Sequence, residues 1–337
     1  MTRVLAIESS CDETAAAVVR DGRWIEGNAV ASQIPLHQQY GGIVPEVASR
    51  AHVQAVVPIV REAMAQAEVD WGDLDVIVGT QGPGLAGSLL IGLNAAKAIA
   101  YARDLPFVGV NHLEGHIYAN WLGTAQEESN NPPAPEFPLL CLVVSGGHTD
   151  LVLMRDHGNL VRLGRTRDDA AGEAFDKVAR ILGLGFPGGP IIQKAAEQGD
   201  PKRFQLPRAW MKDSYDFSFS GLKTAALRLV ETFPAGEVPV ADVAVAFQEA
   251  VADVLSAKTV QAAAQYGARQ IALAGGVAAN SALRKAVQDR SPVPVRLPAL
   301  KYCTDNAAMI ASAGYFRYAH GARTGLMADV APNLAIA

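Results

Sequence analysis

A run of apolar strand, small polar turn, apolar strand, second turn and third strand occurs twice in this chain. That repeat constrains the fold more than any other feature. The first copy has Val4–Ile7, a polar turn over Glu8-Ser9-Ser10-Cys11-Asp12-Glu13, Ala15–Val19, the turn Asp21-Gly22 and a third strand near Trp24–Ala31. The second has Leu140–Val144, the turn Ser145-Gly146-Gly147-His148, Leu151–Met154, His157-Gly158 and Leu160–Leu163. A dipeptide such as Asp21-Gly22 between apolar runs marks a tight turn. Helical and α/β sequence follows each copy, so the pattern predicts a duplicated α/β protein; two unrelated hairpins are the plainer alternative. With 337 residues, half of them hydrophobic and 19% charged, the chain has length for two domains and a large core, which excludes disorder.

Apolar spacing predicts helices over Glu46–Ala67, Gly84–Ala102, Asn111 to about Leu122, Gly172–Leu182, Val240–Ala264, Ala278–Gln288 and Ala307–Tyr318. Ile271–Ala274 reads as a buried strand. Gly123–Pro138, rich in Asn, Glu and Pro, reads as a solvated loop and a natural domain boundary. Lys plus Arg is 29 against 34 Asp plus Glu, a formal charge of -5. Nucleic acid is therefore not gripped by bulk charge; an RNA contact needs a local basic patch or a partner. Loose basic clusters occur at Arg162, Arg165, Arg167 and at Arg203, Arg208, Lys212, each an ordinary solvated face by default. Cys11, Cys141 and Cys303 are too few and too scattered for a disulfide framework. No signal peptide is visible, and the longest apolar stretch, Leu89–Ala100, is broken by Asn94 and Lys97. A cytoplasmic protein with no membrane partner is the expectation.

The sharpest local feature is His112-Leu113-Glu114-Gly115-His116. Histidines at i and i+4 lie one turn apart on one helix face and are able to share a metal. A zinc protease needs its glutamate directly after the first histidine; here Glu114 comes one residue late, about 100° further round the helix. A third ligand must come from elsewhere, and Thr304-Asp305-Asn306 is one candidate, although Thr304 or Asp305 is equally read as a helix cap. Two histidines and a carboxylate suit iron or zinc. Ser145-Gly146-Gly147 follows a buried strand and lets backbone N–H groups approach an anion. Glu8–Glu13 occupies the equivalent place in the first copy, where its carboxylates suit magnesium or a hydrogen-bonded leaving group better than a bare phosphate. Gly275-Gly276-Val277-Ala278-Ala279-Asn280 reads as a purine-binding loop or a structural turn. Asp176 sits early on a helix, suited to a ribose diol or to the helix dipole, and Phe186–Pro190 is a rigid turn after it. Asp216–Lys223 alternates aromatic and polar residues before starting a helix.

Together, Leu5–Thr14, Asn111–Ala119, Val143–Thr149, Gly172–Lys177, Asp216–Thr224, Gly275–Asn280 and Cys303–Ile310 resemble the universal tRNA threonylcarbamoyladenosine transferase family, in its bacterial form. The resemblance runs in order from about residue 3 to residue 320. It implies the duplicated actin-like, sugar-kinase and Hsp70-like ATPase fold, α/β in class, with two lobes around a nucleotide cleft. On that architecture residues 1–110 are expected to form one lobe, with a C-terminal helix over about 311–337 packing back on it. Residues 111–310 then form the other lobe, with helical insertions. The resemblance further implies His112, His116 and Asp305 as metal ligands, with iron(II) preferred over zinc and magnesium accompanying the nucleotide. Val143, Val144, Ser145, Gly146, Gly147, Asp176, Gly189 and Asn280 are implied as adenylate contacts. The implied reaction moves the threonylcarbamoyl group from threonylcarbamoyl-adenylate to N6 of adenosine 37, just 3′ of the anticodon in tRNAs reading ANN codons, and releases AMP. The general base is open, with Glu8, Asp12 and Glu13 as candidates. Ser9 stands where many relatives carry Thr, and Gln193 where some carry an acid. Implied partners are tRNA, a degenerate paralogous subunit and a small P-loop ATPase. Rivals on the same fold are a small-molecule kinase and a nucleotide-gated Hsp70-like binding protein without transferase chemistry.

Overall fold

The computed structural model describes residues 1–124 and 134–336; positions 125–133 of the expected solvated loop lie outside the described residues. By packing, the chain divides into Met1–Pro135 with Pro298–Ala337, and Glu136–Leu297.

The first unit opens with the antiparallel meander β1 (Arg3–Glu8), β2 (Glu13–Arg20) and β3 (Trp24–Ser32). It continues through α1 (Ile34–Gln38), α2 (Pro45–Ala67), β4 (Val76–Gly82), α3 (Ala86–Arg103), β5 (Phe107–Asn111), α4 (His112–Tyr118) and β6 (Gly123–Thr124). Its sheet runs β5-β4-β1-β2-β3-β6, with β4 parallel to β1 and to β5. Val4–Ile7 are wholly buried, as a central strand covered on both faces requires.

The second unit repeats the plan with β7 (Leu139–Val144), β8 (Thr149–Asp156) and β9 (Asn159–Arg165). Then come α5 (Ala171–Ile181), α6 (Gly188–Ala196), α7 (Ser220–Val230), α8 (Val240–Gln265), β10 (Gln270–Ala274), α9 (Ser281–Arg290) and β11 (Val295–Arg296). Its sheet order is β11-β10-β7-β8-β9, with β10 parallel to β7 and to β11. The five strands match β5-β4-β1-β2-β3 in order and sense, which excludes two unrelated hairpins. The turns after β1 and β7 consequently occupy the same place in each unit. Phe175, Phe217, Phe219 and Phe247 fill the core between the second sheet and α5, α7 and α8. The chain then returns to the first unit as α10 (Ala307–Ala319).

Two expectations change. Residues 111–124, 134–135 and 298–310 pack with the first unit rather than with residues 136–297. The reason is local: β5 runs straight into α4, α4 lies against α10, and β6 pairs with β3 at Trp24 and Ile25. The expected helix over 311–337 is instead α10, which ends at Ala319, because Gly321 turns at φ +88. The residues beyond form a strap on the first unit, with the Gly109 N–H donating to Thr324 Oγ1 at 2.8 Å and the Ala331 N–H to the Gln81 carbonyl at 2.8 Å. Among the described residues no helix is long and apolar enough to cross a membrane.

Asp169 joins α5 to α7 by accepting from Lys177 and Lys223, each at 2.7 Å. Burial favours its neutral form, but the two lysines outweigh this and hold its carboxyl below the usual carboxylate range. A lowered folded pKa gives stability that is complete above the unfolded value and lost as pH falls through the folded one. Asp169→Asn should therefore lower the melting temperature at pH 7 and leave it unchanged near pH 2, as thermal melts at the two pH values would read. An equal loss at both pH values contradicts the ion-pair account.

Candidate metal centre and anion-binding turn

The seven residues of α4 are all buried, and four of them, His112, Glu114, His116 and Tyr118, are ionisable. Burial of that kind demands a partner for each group. Asn111 caps the helix, its Oδ1 accepting from the Leu113 and Glu114 N–H groups at 2.9 and 3.4 Å. Its Nδ2 donates to the Leu334 and Ala335 carbonyls, so the C-terminal strap holds the cap in place. Glu114 points to Arg317 of α10 at 2.7 Å and takes no part in the histidine pair, which disposes of the protease geometry. Burial pushes its carboxyl up, and Arg317 works against that.

His112 and His116 stand edge to face, with ring centroids 4.7 Å apart and planes at 85°. Both Nε2 atoms converge on Asp305 Oδ1, at 3.4 Å from His112 and 3.2 Å from His116. Asp305 is not the helix cap; Asn306 does that, accepting from the Met309 N–H at 3.0 Å, and so frees its neighbour for the histidines. Neither ring nitrogen of the buried His116 has a hydrogen-bond partner. Leaving such a nitrogen unsatisfied costs about 1–3 kcal/mol, which a cation accepting its lone pair removes. Donor separations of 3.2 and 3.4 Å are those spanned by two atoms each about 2.1 Å from one ion. The two-nitrogen, one-oxygen set therefore fits a divalent transition metal.

Glu8 orients His112. Its Oε1 accepts from the Ser10 N–H at 2.5 Å, and its Oε2 from Thr80 Oγ1 at 2.6 Å and from His112 Nδ1 at 3.0 Å. A proton on Nδ1 leaves Nε2 as the lone pair facing Asp305, the usual role of a carboxylate behind a metal-binding histidine. Burial opposes charge on His112, but Asp305 and Glu8 beside it outweigh this and hold its pKa well above the ordinary value. The same pairing holds Glu8 below the usual carboxylate range against its burial. Glu13 behaves oppositely. Burial, then the nearby Asp305 and Asp12, push it up to about 9, and it hydrogen-bonds to Asp12 and to Ser32 Oγ. Ser9 uses its hydroxyl fully, donating to the Ser88 carbonyl at 2.8 Å and accepting from the Gly92 N–H at 3.0 Å, which anchors this turn to α3. Thr80 carried no signal in the sequence, being 72 residues from Glu8.

In the second unit the turn after β7 is differently equipped. The Ser145 and Gly146 carbonyls accept from the Gly172 and Glu173 N–H groups at 3.1 Å each, occupying the start of α5. Gly146 and Gly147 are exposed, a side chain at either would meet nothing within 4 Å, and their N–H groups have no partner among the described residues. Two adjacent free N–H groups in such a turn form an anion-binding nest. Gly275 sits at φ +88 with its α-carbon against β7, where a Cβ would lie 2.5 Å from the Val144 carbonyl. Asp176 Oδ1 accepts from the Gly188 N–H at 2.7 Å, which leaves Oδ2 available, and Gly189 beside it is open. The Val143 and Val144 side chains are wholly buried, so only their backbone could face a ligand. Asn280 caps α9 through Leu283 and donates to Gln248 Oε1 at 2.8 Å, a structural use of its side chain. Gln193 accepts from the Ser281 N–H at 2.8 Å, also structurally.

Glu8→Gln should lower metal affinity about 10- to 100-fold in a chelator competition. Binding must also displace the proton held on His112, so affinity should rise with pH through and above 6.5. Unchanged affinity in the variant, or a flat profile between about pH 6 and 8, contradicts the assignment.

The chain's relatives show its family. A family model described as tRNA N6-adenosine threonylcarbamoyltransferase matches residues 25–312. The enzyme of that name from Thermomicrobium roseum is 57% identical over 98% of this chain and 96% of its own length. That from Dehalococcoides mccartyi is 57% identical over 99% of both. Among solved structures, T. kodakarensis HypF superposes with a TM-score of 0.63 at 17% identity, over 95% of this chain and 48% of that one. Component A of the Acidaminococcus fermentans (R)-2-hydroxyglutaryl-CoA dehydratase gives 0.54 at 14% identity, over 95% and 100%. These two likenesses show the duplicated actin-like ATPase fold and nothing beyond it. The near-full-length identity shows more: the chain belongs to the tRNA N6-adenosine threonylcarbamoyltransferase family.

Proposed function

We propose that this chain transfers the threonylcarbamoyl group from threonylcarbamoyl-adenylate to N6 of the adenosine just 3′ of the anticodon in tRNAs reading ANN codons, with AMP leaving. The near-full-length identity to named transferases carries this reading. The convergent donors on α4 and Asp305 support it.

His112, His116 and Asp305 would hold one divalent metal, iron(II) in first place and zinc in second, given a mixed nitrogen and oxygen donor set. Such an ion supplies Lewis acidity toward the carbamoyl end. The chain's own groups do the rest. Gly146 and Gly147 N–H groups take the adenylate phosphate, and Asp176 Oδ2 accepts from a ribose hydroxyl. The N6 amine is a poor nucleophile, so holding both substrates in register supplies much of the acceleration. Transfer forms the N6–carbonyl bond, breaks the bond from carbonyl to phosphate oxygen, and frees one proton from N6. Glu8 is buried, already accepts from Ser10, Thr80 and His112, and is held below the usual carboxylate range, so it is unsuited to take that proton. The hydrogen-bonded Asp12–Glu13 pair is the remaining candidate.

The expected partners are tRNA, a degenerate paralogous subunit and a small P-loop ATPase, in the cytoplasm. Exposed Val53 and Val57, one turn apart on α2, with exposed Leu90 on α3, suit a protein partner on that helix pair. The test is reconstitution with the two partner proteins, threonylcarbamoyl-adenylate and unmodified tRNA, followed by nucleoside mass spectrometry. The wild-type chain should yield threonylcarbamoyladenosine and His112→Ala at least about 100-fold less. No product from folded, metal-loaded wild type would favour a nucleotide-gated binding protein instead.

A further inference from the structure

Arg162 and Arg165 on β9, and Arg167 just beyond it, line a surface pocket of 290 Å³ together with Leu163, Gly164 and Asp216. None of these residues is used in the proposed chemistry. The sequence shows two basic clusters, and the structure treats them differently. Arg203 pairs with Asp242 at 2.7 Å and Arg208 with Asp253 at 3.0 Å, so both guanidinium groups there are neutralised in place. In the first cluster Arg167 pairs with Asp216, whereas Arg165 is exposed and has no ion pair among the described residues, and Arg162 meets Asp150 only at 3.9 Å.

This pocket is a constructed feature. Gly164 allows the backbone of residue 215 to cross β9, since a Cβ there would lie 2.2 Å from the Tyr215 carbonyl. Asp216 accepts from the Arg165 backbone N–H at 2.9 Å and from Arg167 Nε at 2.6 Å, fixing the Arg167 guanidinium. Lys258, only 2% exposed, donates Nζ to the Met211, Ser214 and Asp216 carbonyls at 3.1, 2.8 and 2.5 Å. A buried ammonium group is thus devoted to holding the loop that carries Asp216.

We propose that this arginine pocket docks the phosphodiester backbone of tRNA, an inference that rests on the transferase reading above. A chain of charge -5 needs a local positive site or a partner to meet RNA, and this pocket supplies such a site. Here three guanidinium groups surround a concavity that carries one carboxylate. Guanidinium groups bind phosphate oxygens in a bidentate manner. Contacts to phosphate fix register without reading bases, which suits an enzyme that must accept several tRNAs.

The test uses the reconstituted enzyme, with initial rates measured against tRNA concentration at several salt concentrations. Arg162→Gln/Arg165→Gln should raise the KM for tRNA about five- to tenfold. The kcat at saturating tRNA and the KM for threonylcarbamoyl-adenylate should stay within about twofold of wild type. The log–log salt dependence of kcat/KM should flatten by about one for each arginine removed. Arg165→Lys should recover part of the loss, Arg203→Gln should change nothing, and the exposed single variant Arg165→Gln guards against misfolding of the double. A tRNA KM and salt slope equal to wild type overturn the proposal. So does a raised KM for the adenylate alone, which would assign the pocket to a nucleotide phosphate. Absence of product from wild type would instead overturn the transferase reading, so the two failures are distinct.

Discussion

The contact between Glu8 and His112 is the constraint on which the candidate centre depends. It links the end of β1 to the start of α4, two elements 104 residues apart in sequence, inside the first unit. A carboxylate wholly removed from water needs hydrogen-bond donors, and Ser10, Thr80 and His112 supply three. The same three bonds determine which ring nitrogen of His112 faces Asp305. Removing any one would leave a buried charge short of a partner and loosen the ligand it orients.

The two sheets carry differently equipped turns on one topology. Each presents a turn at the end of its first strand, in the same place relative to the same neighbours. In the first unit the turn carries Glu8, Asp12 and Glu13 and lies beside the candidate metal centre. In the second, glycines replace the carboxylates and leave exposed N–H groups suited to an anion. The C-terminal strap belongs to the same design. By holding Asn111 from behind, it couples the end of the chain to the cap of the helix that bears both histidines.

Much of this was legible in the amino-acid order because it is local. Alternating apolar runs and Gly-containing turns gave all six meander strands, and Asn111 announced the cap of α4. The late position of Glu114 was enough to reject the protease geometry, and its ion pair with Arg317 shows where that side chain goes instead. Long-range packing was not legible. Nothing near Glu8 indicates that Thr80 will close its hydrogen-bond set, so Glu8 read as a candidate base rather than as a positioning residue. Thr304, Asp305 and Asn306 are all good caps, and only the fold shows that Asn306 takes that role and releases Asp305. The unit boundary was misplaced at residue 110 because the pairing of β6 with β3 and the return of α10 are contacts between distant segments.

The most direct test of the account is X-ray absorption at the metal edge of the iron-loaded protein, compared with His116→Ala. Two imidazole shells and a light-atom shell at about 2.1 Å are predicted for the wild type, with one imidazole lost in the variant. A wild-type spectrum without imidazole scattering, or one identical to the variant's, would contradict a centre built from His112, His116 and Asp305.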